Sequence, residues 1–341
     1  MTLRQAQSDR PSTVGVIGAG AWGTALAQML ASDGREVVLW AYEPEVVEAI
    51  NTSHRNPAYL PSAKLAANIR ATDDLTAIAE LDVVLGVTPA QVLGKVLSQL
   101  PRSPRDLVLC SKGIEAGTGR LMNEVARAAC PDSGIAVLSG PTFAHEVADG
   151  LPTAVTLACG GGEAQWQRLS PAIARPAFRP YYTEDVTGAE IGGAIKNVLA
   201  IACGLVDGLA LGQNARAALI ARGYAEMLRF GETLGAKAET LAGLCGLGDL
   251  VLTCSSTSSR NFSLGKALGA GQSAAELMAD RTTVAEGAHT APVLAKLAKE
   301  RGIAMPIVFA VNAILNGDPP HEVVAALLAR PLKAEQANTR A

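Results

Sequence analysis

Residues 13–23 read Thr13-Val14-Gly15-Val16-Ile17-Gly18-Ala19-Gly20-Ala21-Trp22-Gly23, and this stretch decides the fold. A short β-branched run leads straight into Gly-x-Gly-x-x-Gly, and residues 24–31 continue with the composition of a helix. A lone Gly-x-Gly-x-x-Gly says little. Between a strand and a helix it is the turn that carries a dinucleotide pyrophosphate. Gly18 then permits the tight turn, Gly20 lets the backbone approach the phosphates, and Gly23 allows close helix–strand packing. The helix N-terminus at Ala21 and Trp22 stabilises the negative charge. Asp33-Gly34 breaks the helix, residues 36–40 form a second apolar run, and Glu43 stands 20 residues after Gly23. A carboxylate there suits a ribose 2′-hydroxyl and repels a 2′-phosphate. Glu43 or its neighbour Tyr42 is therefore expected beside the adenine ribose, with NAD favoured over NADP. Arg55 is the basic side chain that could swing in.

Working outward, apolar runs of strand length recur at 82–87, 106–110, 135–138 and 153–158. Helical stretches at 45–50, 91–100 and 119–129 separate most of them. Such alternation predicts a parallel sheet covered on both faces. After about residue 182 the pattern changes to Ala- and Leu-rich segments of helical length: 189–205, 215–234, 262–269, 274–279, 290–300, 307–315 and 322–329. The expected fold is α/β: a Rossmann-type parallel-sheet domain over 1–187, an all-α domain over 188–330 and a polar tail over 331–341.

Composition narrows the function. The chain has 341 residues, a net charge of −3 and only 18% charged residues, without the basic stripe of a nucleic-acid binder. Three Trp, five Tyr and five Phe leave little for stacking bases. The six cysteines are scattered, with no Cys-x-x-Cys pair, so neither a zinc site nor a disulfide framework is expected, and no metal. The first eleven residues are polar and charged, unlike a signal peptide. The apolar run 191–211 contains Lys196, Asn197 and Asp207, which a bilayer centre disfavours. A soluble, cytoplasmic protein without a membrane span is the expectation.

Hydride transfer to or from an alcohol carbon needs a proton acceptor and a cation for alkoxide character. The four histidines are weak candidates: His54, His289 and His321 lie in polar stretches, and His145 follows Gly140-Pro141-Thr142. Lys196 is the stronger anomaly, being the sole basic residue between Glu184 and Arg216, among small neighbours including Gly192, Gly193 and Ala200. Apolar surroundings disfavour the ammonium and bring a lysine toward the range of a base; a snorkelling surface lysine is the competing structural explanation. Lys112, after an apolar run, is placed where ligands of doubly wound sheets bind. Gly246-Leu247-Gly248-Asp249-Leu250 and Thr253 to Asn261 offer hydroxyls, N–H groups and a guanidinium, a set that suits phosphate. A polar linker explains that segment equally well from composition. Gly140, Gly246 and Gly248 are expected where backbone approaches ligand.

Together these residues resemble the NAD(P)-dependent glycerol-3-phosphate dehydrogenases of bacterial type. The similarity is carried by Gly193-Ala194-Ile195-Lys196-Asn197-Val198-Leu199-Ala200, the glycine turn, Asn56-Pro57-Ala58-Tyr59-Leu60-Pro61, Ser111-Lys112-Gly113-Ile114-Glu115 and Ser139-Gly140-Pro141-Thr142-Phe143-Ala144. Asn214-Ala215-Arg216, the 246–250 segment, Ser259-Arg260-Asn261 and Val284-Ala285-Glu286-Gly287 extend it. The resemblance implies interconversion of sn-glycerol 3-phosphate and dihydroxyacetone phosphate, with NAD or NADP, feeding phospholipid synthesis. It implies that Lys196 exchanges the proton at the C2 oxygen and that Lys112 touches both substrate and nicotinamide. Gly140, Thr142, Asn197, Asp249, Thr253, Ser259, Arg260 and Asn261 would complete the substrate site. Gly18, Gly20, Ala21, Trp22, Gly23, Tyr42, Tyr59, Lys112, Ala144, Arg260, Val284 and Glu286 would contact the cofactor. A homodimer is implied too. Two departures stand out: Thr88-Pro89-Ala90 replaces the usual Val-Pro-Ser or Val-Pro-Thr, and Tyr42-Glu43 replaces His-Arg. The alternatives are another lysine-dependent dehydrogenase of β-hydroxyacid type, which needs a carboxylate site, and a dinucleotide sensor without catalysis, which leaves Lys196 unexplained.

Overall fold

The apolar runs lack alternation because the central strands are buried on both faces. In the computed structural model, which describes residues 13–279 and 285–332, β1 (Val14–Ile17) is followed by the glycine turn and α1 (Ala21–Ala31). There follow β2 (Val37–Trp40), α2 (Pro44–Ser53), β3 (Ile69–Thr72), β4 (Val83–Gly86), α3 (Ala90–Leu97), β5 (Asp106–Leu109) and α4 (Met122–Ala129). Then come β6 (Gly134–Ser139), α5 (Ala144–Ala148), β7 (Thr153–Cys159), α6 (Gly162–Ile173) and β8 (Phe178–Thr183). The strands form one sheet in the order β3-β2-β1-β4-β5-β6-β7-β8. The order reverses between β1 and β4, the switch point at which doubly wound folds bind ligands.

The sheet departs from the all-parallel expectation at one place: β6 and β7 are antiparallel, with Ala136 opposite Cys159. Their connection carries only the five-residue α5, too little for a crossover helix. The remaining neighbours are parallel.

From Val186 onward the described chain is helical: α7 (Val186–Gly208), α8 (Gly212–Thr233), α9 (Ala238–Ala242), a π-turn at Leu244–Gly248, α10 (Asp249–Cys254), α11 (Arg260–Gly269), α12 (Ala274–Ala279), α13 (Glu286–Glu300), α14 (Pro306–Leu315) and α15 (Pro320–Leu328). Two compact units emerge, one of residues up to Lys112 with Leu121–Glu190, the other of Gly113–Arg120 with residues from Ile191 on. α7 is the one described helix long and apolar enough to cross a membrane, and its apolar window is wholly buried inside protein. Its small residues explain how: a Cβ on Gly204 would lie 2.0 Å from Phe262 O, and one on Gly265 would lie 1.9 Å from Ile201 O. α7 and α11 therefore pack backbone to backbone. The six cysteines are free, five of them buried. The polar first eleven residues and, beyond Leu332, the expected polar tail lie outside the described residues.

Candidate active site

In the first unit the three glycines of the turn differ in what surrounds them. Gly18 adopts φ +112, a left-handed conformation that favours glycine. A Cβ on Gly23 would sit 1.8 Å from Gly18 O, so the start of α1 lies directly on the turn. A Cβ on Gly20 would meet nothing within 4 Å among the described residues. Its missing side chain serves no packing, which fits a backbone left open to a pyrophosphate. The indole Nε1 of Trp22 is buried and lacks a hydrogen-bond partner among the described residues.

Asn56 braces the turn. Wholly buried, it donates from Nδ2 to Ala19 O and to Thr24 Oγ1, both at 2.8 Å. Its distance in sequence, 37 residues from Ala19, left no local signal for that role. Asn56 Oδ1 also accepts from Tyr59 N at 3.2 Å, and Tyr59 donates its hydroxyl to Glu43 Oε1 at 2.8 Å. The acid at the end of β2 is thus held by the tyrosine of the 56–61 segment. Tyr42 is 79% exposed and packs edgewise on Trp40. Arg55 is exposed, with Nη1 3.4 Å from Pro61 O.

Lys112 is half-buried just beyond β5. Burial pushes the neighbouring Cys110 thiol up to about 12, and the charge of Lys112 pulls it the other way. Thr142 donates to Gly140 O at 3.2 Å, and Ala144 opens α5, half-buried against the core. Gly140 has a packing reason of its own, because a Cβ there would lie 2.9 Å from Val155 Cα in β7. His145 is exposed and stacks on Phe143.

The second unit gathers a different set. Lys196, 5% exposed on α7, donates to Asp249 Oδ1 at 2.5 Å and to Thr253 Oγ1 at 3.0 Å. Asp249 is 0% exposed and accepts from Thr253 at 3.2 Å. Asp249 and Thr253 share a face of α10 because they are four residues apart. Apolar burial, the basis for singling out Lys196, is therefore only half of its environment: a buried carboxylate touches the amine. Gly192 sets this contact, since a Cβ there would come 2.4 Å from Cys245 O in the π-turn that leads into α10. Gly246, expected near ligand, is needed by the protein itself: a Cβ would lie 1.9 Å from Leu241 O. Gly248 likewise closes the turn, donating to Gly243 O at 3.0 Å.

The polar 253–261 segment runs from the end of α10 through a short turn at 255–259 into the start of α11. Ser259 caps α11, accepting from Phe262 N at 3.2 Å, and Arg260 is its exposed first residue. Asn261 donates to Asn197 Oδ1 at 3.0 Å and accepts from Gly287 N at 2.9 Å, joining Lys196's neighbour to the start of α13. Glu286 begins that helix, half-buried; Val284 lies outside the described residues.

A doubly wound sheet with an open glycine turn at its switch point, and a buried lysine held by a carboxylate, define a dinucleotide-dependent dehydrogenase. Residues 13–165 match the N-terminal domain, and 185–325 the C-terminal domain, of the NAD-dependent glycerol-3-phosphate dehydrogenases. The chain is 73% identical over 322 residues to a glycerol-3-phosphate dehydrogenase [NAD(P)+] of Erythrobacter litoralis, covering 94% of this chain and 97% of that one. It is also 73% identical over 323 residues to one of Novosphingobium aromaticivorans, covering 94% and 98%. The crystal structure of glycerol-3-phosphate dehydrogenase from Coxiella burnetii superposes with a TM-score of 0.88 at 40% identity, covering 94% of this chain and 99% of that one. The chain belongs to the NAD(P)-dependent glycerol-3-phosphate dehydrogenase family, oxidoreductases that act on a CH–OH group.

Proposed function

We propose that the two constellations divide the interconversion of sn-glycerol 3-phosphate and dihydroxyacetone phosphate between them. The cofactor side is the 18–23 turn with Ala21, Trp22, Tyr42, Tyr59, Lys112 and Ala144 on the 1–187 portion, joined by Arg260, Val284 and Glu286. Bound there, NAD(P)H supplies the hydride that C2 of the substrate receives. Lys196 delivers a proton to the C2 oxygen during reduction and recovers it during oxidation. Asp249 and Thr253 hold its amine in line. Lys112 adds positive charge at the same oxygen, and Gly140 and Thr142 line the substrate. Ser259, Arg260 and Asn261, at the first turn of α11, grip the phosphate through N–H groups and the guanidinium fork. Asn197 steadies this group through Asn261.

The observation that carries the reading is the buried Lys196–Asp249 pair. Burying two charges gains little stability over an apolar pair of similar size, and proton exchange at an oxygen gives the lysine a reason to be there. The protein works as a cytoplasmic homodimer, and reduction supplies glycerol 3-phosphate for phospholipid synthesis.

The test is to follow the absorbance of NADH and of NADPH with dihydroxyacetone phosphate. Turnover with this ketone supports the reading; reduction of a β-keto acid in its place would move the protein to the β-hydroxyacid class. Arg260→Ala should raise KM for dihydroxyacetone phosphate about tenfold or more, the worth of a charged hydrogen bond, with kcat nearly kept. An unchanged KM would remove Arg260 from the phosphate grip.

A further inference from the structure

Thr88 lies just beyond β4, at the point where the strand order reverses. Val87 still pairs with β1, its N–H donating to Ile17 O at 2.8 Å, so Thr88 is the first residue past the sheet. It abuts the glycine turn: a Cβ on Gly18 would lie 3.2 Å from Thr88 N. Its carbonyl accepts from Ser111 Oγ, the residue before Lys112. The backbone of Thr88 therefore joins the ends of β1, β4 and β5. The side chain is another matter. Thr88 is 5% exposed, and its Oγ1 has no hydrogen-bond partner among the described residues. A buried hydroxyl without a partner is a net cost to folding, and valine has the same shape without that cost. An unpaired group of this kind calls for an explanation outside the protein's own hydrogen bonds. The open space at Gly20 points the same way from an independent position, since nothing among the described residues would lie within 4 Å of a Cβ there.

We propose that Thr88 is a cofactor-contacting residue, its hydroxyl bonding a pyridine dinucleotide at the switch point. Because β4 belongs to the second mononucleotide half of the sheet, the partner is the nicotinamide-side phosphate or ribose, either of which accepts from a hydroxyl. The proposal rests on the dinucleotide reading of the 18–23 turn.

Thr88→Val removes the hydroxyl and keeps the shape, while Thr88→Ser keeps the hydroxyl. NADH affinity is read by fluorescence titration without substrate, and Tm by calorimetry without cofactor. Thr88→Val should weaken NADH binding about three- to tenfold, as expected for one hydrogen bond, with a cofactor-free Tm equal to or above wild type. Thr88→Ser should bind NADH like wild type. If Thr88→Val lowers both affinity and Tm, the serine variant decides: restored affinity supports the contact, and unrestored affinity overturns it. Unchanged NADH affinity in Thr88→Val overturns the Thr88 assignment alone. Failure of the wild-type protein to bind NADH overturns the dinucleotide reading, and the proposal with it.

Discussion

At the residue scale, Lys196 and Glu43 are each held in place by polar neighbours. Lys196 is buried against Asp249, so its orientation is set by a carboxylate that is itself inaccessible to water. Removing one member of such a pair is costly because the other is left buried and uncompensated. Glu43, half-buried at the end of β2, is held by the Tyr59 hydroxyl at 2.8 Å. Fixed in this way, its carboxylate would oppose a 2′-phosphate and would accept from a 2′-hydroxyl. Repulsion between two unit charges about 4 Å apart is worth about 1 kcal/mol when bulk water screens them. Glu43→Gln should therefore lower the ratio of kcat/KM for NADH over NADPH about fivefold, read by steady-state kinetics with each cofactor. A ratio unmoved by the substitution would place the 2′ position elsewhere.

At the element scale, α7 positions its lysine through what it lacks. Gly192 lets Cys245 O come within 2.4 Å of where a Cβ would be, and this contact seats the π-turn from which α10 begins. Gly192→Ala should push the 245–249 segment away from α7, costing about 1–3 kcal/mol as overpacking does. kcat should fall with it, while NADH affinity stays near wild type because the glycine turn is untouched. Denaturant unfolding and NADH titration of the same variant check both halves. The strands that carried no readable signal were β3 and β8, the two edges of the sheet. An edge strand needs less apolar surface: β3 reads Ile69-Arg70-Ala71-Thr72, and β8 contains Arg179 and Pro180, a proline that edges tolerate. α6 was hidden by the three glycines at 160–162 and by Pro171 inside it. The central strands and α7 were readable because burial on all sides makes their sequences uniformly apolar.

At the scale of the whole molecule, two buried carboxyls link stability to pH. Glu226 in α8 accepts from Ile307 N and Val308 N at the start of α14; burial pushes its pKa up to about 7, against those two bonds and the charges of Arg229 and Arg330. Glu190, accepting from Asn123 N, is pushed by burial to about 8. Both are raised from an ordinary 4.5, so the folded state binds the proton more tightly than the unfolded chain. Their contribution is present in full below pH 4.5 and is lost as pH rises to about 7 for Glu226 and about 8 for Glu190. Glu226→Gln removes one of these slopes. The Tm of wild type relative to that variant should fall from pH 5 to about pH 7 and level off above it, by calorimetry; a constant difference would show that Glu226 does not titrate on unfolding. Neither acid could be singled out from sequence, because the burial that shifts them comes from helices far along the chain. The same holds for the site. Lys196 stood out by its apolar surroundings, but Asp249 lies 53 residues away and only folding brings it to the amine.

The central claim is that this buried lysine exchanges the proton at the substrate's C2 oxygen. Its most direct test is the kcat of Lys196→Ala for dihydroxyacetone phosphate with NADH, beside an NADH titration of the same sample. The account predicts a loss of about 10²- to 10⁴-fold, the range of general acid catalysis, with NADH affinity kept near wild type. Turnover within about tenfold of wild type, from protein that binds NADH normally, would contradict it.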